Sequence, residues 1–286
     1  MAYYRRQQRR ERGRSVPVTI GALAALVLIV IVASLMTCSR ASQPPSGTLV
    51  VGTSTDFPPF EKRFGREVRG FDMDLCAMIA QDMGREVVIR DFAFDALLPS
   101  LGSGSHGEDP LVDIVCSAMT ITEAREEVAD FSESYFDANQ AVLASSESGF
   151  SYSSPNDLSG LVVAYQEGTT SQTWFEENVM GKVNVAEGVP FENIGISLQR
   201  LGRDYDVMIV DGPVADSFVK SRDDVIISGM IETSEQYGFA VAEGDPQGIL
   251  EHADKVLAEI KENSQEKKHK FSYDELVEKW FGGGES

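Results

Sequence analysis

Short apolar segments, each followed by a turn and a helical pattern, recur along this chain from residue 48 onward. The clearest is the run from Tyr205 to Val210, which is typical of a parallel strand buried on both faces of a sheet. Alternation of this kind predicts an α/β architecture, in which mostly parallel sheets are flanked by helices. With 286 residues, the chain is long enough for one large or two ordinary domains.

Residues 113 to 131 are predicted to bind an anion. They comprise a short apolar strand, a polar turn and a helix for which Thr122 is the predicted N-cap. Arg125 then lies in the first helical turn, where unpaired N–H groups already make the surroundings electropositive. A carboxylate bound there would accept hydrogen bonds from the guanidinium and from the hydroxyls of Ser117 and Thr120.

The second half of the chain offers two comparable positions. Gly168 gives torsional freedom beside another helix N-terminus, where a carboxylate is again favoured. Asp211 follows the buried strand that ends at Val210, and open α/β sheets bind ligands at that edge.

Simpler structural roles are open for both charged residues. Arg125 can instead pair with Glu126 or Asp130 on a solvated surface. Asp211 can instead cap the helix that follows it.

The first forty residues differ in composition from the rest. Residues 1 to 15 are rich in arginine, and residues 16 to 38 include an uncharged apolar stretch long enough to cross a bilayer. This order predicts a cytoplasmic basic tail and an exported remainder. The length favours a retained anchor, whereas residues 35 to 38 resemble a lipidation signal in which Cys38 would be modified. Residues 39 to 47 would then be a tether on the outer face of the cytoplasmic membrane.

The charge and the cysteines exclude other classes of protein. A formal net charge of -20 argues against nucleic acid as a partner. Cys76 and Cys116 lie in helical and strand patterns, so both are predicted to be core residues and not parts of a disulfide framework. The sequence contains no Cys and His cluster at metal-ligand spacing, and neither a metal nor a cofactor is expected.

Six motifs occur in an order that resembles a known family. They are Gly52-Thr53 with Phe57-Pro-Pro-Phe60-Glu61, Gly70-Phe-Asp72-Met-Asp74-Leu75, Met119-Thr-Ile-Thr122-Glu-Ala-Arg125 with Asp130-Phe-Ser132, Gln166-Glu-Gly168-Thr169-Thr170, Val210-Asp211 and Lys279-Trp-Phe-Gly282. Together they resemble the extracellular solute-binding proteins of family 3, the polar amino-acid-binding proteins of ABC importers. The resemblance implies a type II periplasmic-binding-protein fold, in which two α/β lobes joined by a two-strand hinge close on a ligand in the cleft.

The same resemblance implies roles for individual residues. Arg125, with Thr120 and the backbone at Ala118, would hold the α-carboxylate, and Thr170 would reach it from the other lobe. Asp211 would hold the α-ammonium. The implied site comprises Phe57, Phe94, Ser117, Ala118, Met119, Thr120, Arg125, Gln166, Thr170 and Asp211, with Ser54 and Glu61 as secondary candidates.

The two phenylalanines of that set would flank the ligand side chain, although their local pattern alone favours core positions. Two facing rings suit a flat or cationic head group, and Glu61 is placed to pair with a positive one. A polar or basic amino acid is therefore expected. Some relatives have an aspartate where this chain has Ser54, and residues 103 to 110 look like an insertion.

The expected organisation is a basic tail at residues 1 to 15, an anchor or signal segment at 16 to 38, a tether at 39 to 47, a first lobe at 48 to 143 and 237 to 286, and a second lobe at 144 to 236. A hinge is expected near residues 142 to 147, and Asp72 is the predicted N-cap of a helix that stops near Gly84. The expected function is that of a monomeric, membrane-tethered receptor that delivers an amino acid to a separate permease and ATPase.

Two rival functions are open. An enzyme on the same fold, such as a prephenate or arogenate dehydratase, would need a general acid in the cleft, for which Glu61 and Glu167 are the nearest candidates. A sensor domain of a signalling receptor is the other, and a basic tail of about fifteen residues argues against it.

Overall fold

The computed structural model describes residues 47–102, 110–262 and 268–282. The expected anchor, the possible lipidation of Cys38 and most of the expected insertion therefore lie outside the described residues. Within those three ranges, we find no helix that combines the length and the apolar character needed to cross a bilayer.

The described residues form two five-stranded sheets, a small three-stranded sheet and the helices around them. The strands are β1 (Thr48–Thr53), β2 (Asp56–Phe57), β3 (Glu61–Phe64), β4 (Glu67–Arg69), β5 (Glu86–Asp91), β6 (Ile114–Val115), β7 (Ala129–Phe131), β8 (Phe136–Ser145), β9 (Val162–Gln166), β10 (Glu187–Phe191), β11 (Val207–Asp211), β12 (Val225–Tyr237) and β13 (Ala240–Ala242). The α-helices are α1 (Phe71–Asp82), α2 (Leu97–Ser100), α3 (Glu123–Glu126), α4 (Thr170–Asn178), α5 (Ile194–Ser197), α6 (Gly212–Ser221), α7 (Ile249–Lys261) and α8 (Tyr273–Phe281). Short 3-10 turns lie at Phe94–Ala96, Pro155–Leu158 and Leu198–Arg200.

Each large sheet defines one lobe, and each sheet is mixed. The first lobe contains the sheet β5-β1-β6-β13-β7, in which β1 runs parallel to β5 and β6 while β13 runs antiparallel to both of its neighbours. The second lobe contains the sheet β10-β9-β11-β8-β12, in which β9 runs parallel to β10 and β11 while β8 runs antiparallel to both of its neighbours. The α/β, two-lobed fold is confirmed. The sheets are less parallel than expected, because the connecting segments add antiparallel strands to each of them.

Two long strands carry the chain between the lobes. The start of β8, at Phe136 to Ala138, pairs with the end of β12, at Glu235 to Tyr237. From Gln140 onward β8 already pairs with β11 of the second sheet. The connecting pair therefore precedes the change of composition at residues 142 to 147 by several residues. The composition changes later because the apolar part of β8 already belongs to the second sheet. The lobe limits drawn from the sequence remain a prediction.

Aromatic rings pack beneath this connecting pair. The ring of Phe60 lies at the centre, with centroid distances of 5.0 Å to Phe136, 5.3 Å to Tyr237 and 5.4 Å to Phe281. These three contacts are edge-to-face arrangements, which are favourable beyond the area they bury. The cluster fixes the position of the Tyr237 ring, whose hydroxyl reaches the cleft.

Helix α1 begins two residues earlier than it would with Asp72 as its N-cap. Its N-cap is Gly70, where an added Cβ atom would lie 1.8 Å from the carbonyl oxygen of Phe60. Only glycine fits that close approach, so the helix starts there and the prediction that Asp72 is the N-cap is wrong. Asp72 is instead a fully buried helical residue.

Cys76 and Cys116 form a disulfide bond, and the prediction that they are only core residues is wrong. Both are fully buried, as expected, but the face of α1 that carries Cys76 packs on the end of β6. Because they lie in two different regular elements 40 residues apart, their spacing gives no sign of pairing. The bond ties α1 to the turn that begins at Ser117.

Loss of this disulfide should destabilise the protein considerably. For a closed loop of 40 residues, the chain-entropy relation predicts that Cys116→Ser lowers the free energy of unfolding by about 4 kcal/mol. Urea unfolding followed by circular dichroism measures this difference. Reductant should lower the unfolding midpoint of the wild type by a similar amount and leave that of Cys116→Ser unchanged. Equal sensitivity of both proteins to reductant would contradict the prediction.

Candidate functional site

The candidate site lies where strands of both sheets end. Ser54 and Ser117 follow β1 and β6 of the first lobe, while Gln166 and Asp211 are the last residues of β9 and β11 in the second lobe. The carboxyl ends of strands are the usual ligand-binding edge of such sheets.

The two lobes touch across this site. The guanidinium Nη2 of Arg125 donates to the carbonyl oxygen of Gly168 at 3.0 Å. The backbone N–H of Ile194 in α5 donates to Asp56 Oδ2 at 2.6 Å. Each contact joins a residue of the first lobe to one of the second, so the cleft between the lobes is narrow.

Arg125 lies in α3, a single helical turn. Thr122 is its N-cap, as predicted, and the Thr122 hydroxyl accepts a hydrogen bond from the Arg125 backbone N–H at 3.3 Å. The guanidinium Nη1 donates to the Thr120 carbonyl oxygen at 2.6 Å, and the group lies 5.5 Å from the centroid of the Phe94 ring. Removal from water lowers the pKa of Arg125, while the charges of Glu235 and Asp211 oppose that change.

The surface ion pair considered for Arg125 is not the arrangement observed. The terminal nitrogens of Arg125 donate to backbone carbonyl groups of both lobes. Asp130, one of the alternative partners, instead accepts a hydrogen bond from the Gly244 N–H at 2.7 Å.

The turn after β6 is held by two buried carboxylates. Ser117 Oγ donates to Glu61 Oε1 at 2.7 Å and accepts from the Ser54 N–H at 3.1 Å. Ala118 has a φ of 41°, a conformation that few residues other than glycine adopt, and its N–H donates to Asp72 Oδ2 at 2.8 Å. This hydrogen bond offsets the strain of the turn.

Asp72 therefore belongs to the support of the site. It also accepts a hydrogen bond from the Tyr135 hydroxyl at 2.7 Å. Burial raises the pKa of Asp72 to about 7, against the two hydrogen bonds, which lower it. The sequence motif pointed to this residue, but its helical position suggested a cap.

Glu61 is fully buried, and one of its two carboxylate oxygens accepts a hydrogen bond, from Ser117. Its Oε2 atom has no hydrogen-bond partner among the residues that the structure describes. Burial raises the pKa of Glu61 well above the usual range, and the nearby Asp72 raises it further, while the bond from Ser117 lowers it. A cation placed beside Glu61 would relieve both effects.

Asp211 lies at the opposite side of the site. It occupies the N-cap position of α6, but its side chain makes no cap bond. Gln140 Nε2 donates to Asp211 Oδ1 at 2.7 Å, and the Tyr237 hydroxyl donates to Oδ2. Burial, and then the charge of Glu235, raise the pKa of Asp211 to about 7.

The hydroxyls of Thr120 and Thr170 converge from the two lobes on one acceptor. They donate to Glu235 Oε2 at 2.7 and 2.8 Å. Gln140 Nε2 donates to the other oxygen of Glu235 at 2.9 Å. The same glutamine thus contacts both Asp211 and Glu235.

The remaining predicted residues are all buried, but not all face the site. Phe57 and Phe94 are 7% and 8% exposed. Met119 packs in the core of the first lobe with Phe94, and its carbonyl oxygen accepts from the Gly238 N–H. Gln166 Nε2 donates to the Glu192 carbonyl oxygen at 2.9 Å, and its Oε1 atom has no partner among the described residues.

Ser54, a secondary candidate from the sequence, contacts a nearby carboxylate. Its hydroxyl donates to Asp56 Oδ1 at 3.0 Å. Burial raises the pKa of Asp56, and its hydrogen bonds lower it. The carboxylate of Asp56 therefore lies beside Ser54, two residues along the chain.

Gly168 lies close to the first lobe. It has a φ of 75°, and an added Cβ atom would lie 2.8 Å from the Cβ atom of Asp95 in the first lobe. The predicted torsional freedom is confirmed, and the close approach is a second reason for glycine here.

Four residues of the site were not identified from the sequence alone. Gln140, Glu235 and Tyr237 lie on the connecting strands, and Asp56 is the first residue of β2. Gln140 is a polar residue at the start of an apolar run, which is the one signal available. Glu235 stands in a polar segment that resembles an ordinary surface turn.

Among the described residues, no group of three or more His, Cys, Asp or Glu side chains is arranged to hold a metal ion. The site is therefore best described by its hydrogen-bonding and charged groups.

Comparison with known proteins places these features in a family. Residues 49–283 match the family described as bacterial extracellular solute-binding proteins, family 3. The arginine-binding extracellular protein ArtP of Bacillus subtilis is 30% identical over 271 residues, covering 91% of this chain and 98% of ArtP.

Solved structures agree. The P235GK mutant of ArgBP from T. maritima has a TM-score of 0.72 and 36% identity, covering 82% of this chain and 96% of that chain. The ancestral amino acid-binding protein AncCDT-1, a precursor of cyclohexadienyl dehydratase, has a TM-score of 0.70 and 33% identity, with coverages of 82% and 96%. This chain therefore belongs to the bacterial extracellular solute-binding proteins of family 3.

Proposed function

We propose that this protein captures a cationic amino acid outside the cell and delivers it to the permease and ATPase of an ABC importer. The observation that carries the proposal is the imbalance of charge in the cleft. Among the described residues, the carboxyl groups of Asp56, Glu61, Asp211 and Glu235 lie around the site, Asp72 supports its turn from the core, and Arg125 lies among them.

A cationic amino acid matches this distribution. Its α-ammonium group would pair with Asp211 and its α-carboxylate with Arg125, so that the two ends bind different lobes. Its positive side chain would lie between Phe57 and Phe94 and end at Glu61, whose unpaired oxygen supplies an acceptor. The ligand brings two positive charges and one negative charge into a region with excess negative charge.

The similarity to arginine-binding proteins supports the same class of ligand. Two of the three proteins compared above bear that description. Binding would favour the closed state, because neither lobe alone satisfies both ends of a zwitterion.

A dehydratase is the second candidate, and two observations favour it. Glu61 is a buried acid whose pKa is raised well above its usual range, which suits a proton donor, and one similar structure is an enzyme precursor. We propose a binding role without turnover, because the unpaired Glu61 oxygen is equally suited to a cation. Glu167, the other acid considered, is exposed. Turnover of prephenate or arogenate, followed by absorbance, would support the enzyme instead.

The attachment to the membrane is also a proposal. We expect residues 1 to 38 to tether a monomer to the outer face of the cytoplasmic membrane, through a retained helix or through a lipid on Cys38.

A thermal-shift screen of the common amino acids tests the central proposal. Arginine or lysine at about 100 times Kd should stabilise the protein by about 2.7 kcal/mol, equivalent to roughly 5 to 10 °C. Glutamate should give little or no shift. Arg125→Ala should weaken binding of every amino acid by about 2 to 4 kcal/mol, since it removes the partner of the common α-carboxylate. The proposal fails if no cationic amino acid raises the melting temperature.

Glu61→Gln should reduce the preference for a cationic side chain. Removing the charge that faces the ligand head should raise Kd for arginine by roughly tenfold to a hundredfold, whereas Kd for glutamine should change far less. Isothermal titration calorimetry measures both. Glu167→Gln is the matched control, because it removes an exposed carboxylate of the second lobe and should leave both constants nearly unchanged. An equal loss for both amino acids would show that Glu61 only supports the fold.

Affinity for a cationic amino acid should rise with pH. In the ligand-free protein burial raises the pKa of Asp211 to about 7, so this group is largely protonated at pH 6. A bound ammonium group lowers that pKa, and binding below pH 7 must therefore release a proton. If one proton is released on binding, Kd should fall by about tenfold for each unit that the pH rises between pH 5.5 and 6.5.

Calorimetry at pH 6 in two buffers with different enthalpies of ionisation counts those protons directly. A net uptake of protons, or an affinity that falls as pH rises, would contradict this assignment.

A further inference from the structure

Glu235 accepts hydrogen bonds from two hydroxyl groups that the family resemblance assigns to the ligand α-carboxylate. Thr120 Oγ1 in the first lobe and Thr170 Oγ1 in the second donate to the same Glu235 oxygen, at 2.7 and 2.8 Å. Each hydroxyl has one proton, so it cannot donate to Glu235 and to a ligand carboxylate at once. Glu235 therefore occupies the hydrogen-bonding position of an α-carboxylate.

The backbone around Glu235 is shaped to hold it there. The register of β12 against β8 shifts between Ile231 and Glu235, and Ser234 has a φ of 54°. Asn139 Oδ1 accepts from the N–H groups of Thr233 and Ser234 at 2.9 and 2.8 Å, which satisfies the donors that the bulge leaves unpaired. The β-bulge in β12 thus directs the Glu235 side chain into the cleft.

Arg125 feels the charge of Glu235, but its terminal nitrogens donate elsewhere. Its Nη1 and Nη2 atoms donate to the carbonyl oxygens of Thr120 and Gly168. A ligand carboxylate that approached Arg125 while Glu235 kept both hydroxyls would meet a like charge nearby and lack two of its donors. The two carboxylates compete for one place.

Glu235 has room to leave that place. It lies on the wall of a cavity of about 340 Å³, together with Thr120, Thr170, Trp174 and Glu177. Rotation of the Glu235 side chain into this cavity would free both hydroxyls and separate its charge from that of a bound carboxylate.

We propose that Glu235 is a specificity-determining residue that acts as an internal substitute for the ligand carboxylate and must be displaced when an amino acid binds. The assignment rests on the proposed function. It has a further consequence for ligands that lack a carboxylate, such as the decarboxylated form of arginine, agmatine. Such a dication leaves Glu235 in place and gains from its negative charge.

Calorimetric titration of arginine and agmatine into the wild type, Glu235→Ala and Glu235→Gln tests this. Glu235→Ala should bind arginine about tenfold more tightly, since it removes a competitor for charge-assisted hydrogen bonds. The same variant should bind agmatine no more tightly, or more weakly. Glu235→Gln keeps the shape and one acceptor, so it should shift both constants in the same directions by less.

Glu177→Gln is the matched control. It removes a carboxylate from another part of the same cavity wall that does not hold the threonine hydroxyls, and it should leave the ratio of the two constants unchanged. Far-ultraviolet circular dichroism and melting temperature establish that each variant is folded. If Glu235→Ala is not folded, Glu235→Gln decides.

Weaker arginine binding by both variants would overturn the inference, because Glu235 would then support ligand binding. So would an equal change for arginine and agmatine, which would indicate a general effect of charge or fold. If the wild type binds neither compound, the proposed function fails and this inference fails with it. Binding by the wild type without the difference between ligands overturns the inference alone.

Discussion

Burying several carboxyl groups around the guanidinium of Arg125 is the constraint on which the site depends. Each ionised carboxylate removed from water costs several kcal/mol unless hydrogen bonds, a proton or a cation compensate it. In this protein Asp72 and Asp211 receive hydrogen bonds and still have pKa values of about 7, because burial outweighs those bonds. Glu61 receives one bond and has one unpaired oxygen. The cleft is therefore short of positive charge, and the proposed cationic ligand would supply it.

The connecting strands contribute more than the path between the lobes. Gln140 on β8 donates both to Asp211, at the expected ammonium end of the ligand, and to Glu235, at the expected carboxylate end. Tyr237 on β12 packs its ring under the hinge and donates its hydroxyl to Asp211. If an amino acid binds as proposed, rotation of one lobe against the other would strain these bonds at both ends of the ligand. The same pair of strands would then couple closure to recognition of the two charged ends.

The sequence predicted features that depend on neighbours along the chain. The strand that ends at Asp211, the cap at Thr122 and the freedom of Gly168 all follow from local patterns, and the structure contains them. Features that depend on contacts between distant segments were missed. The disulfide joins Cys76 and Cys116 across the core, where regular elements conceal their proximity.

Asp72 and Glu235 are two further residues whose positions depend on contacts with distant segments. Asp72 looked like a cap because caps and buried acceptors use the same residue type, and only the contact between Gly70 and Phe60 decides where the helix begins. Glu235 was not identified from the sequence, because its neighbours along the chain do not reveal the bulge that turns it inward. Gly168 has a consequence of its own, because its missing side chain lets the lobes meet backbone to side chain at Asp95. A side chain at position 168 would collide with Asp95 and hold the two lobes apart. The absence of one methyl group therefore permits the spacing of the lobes in this structure.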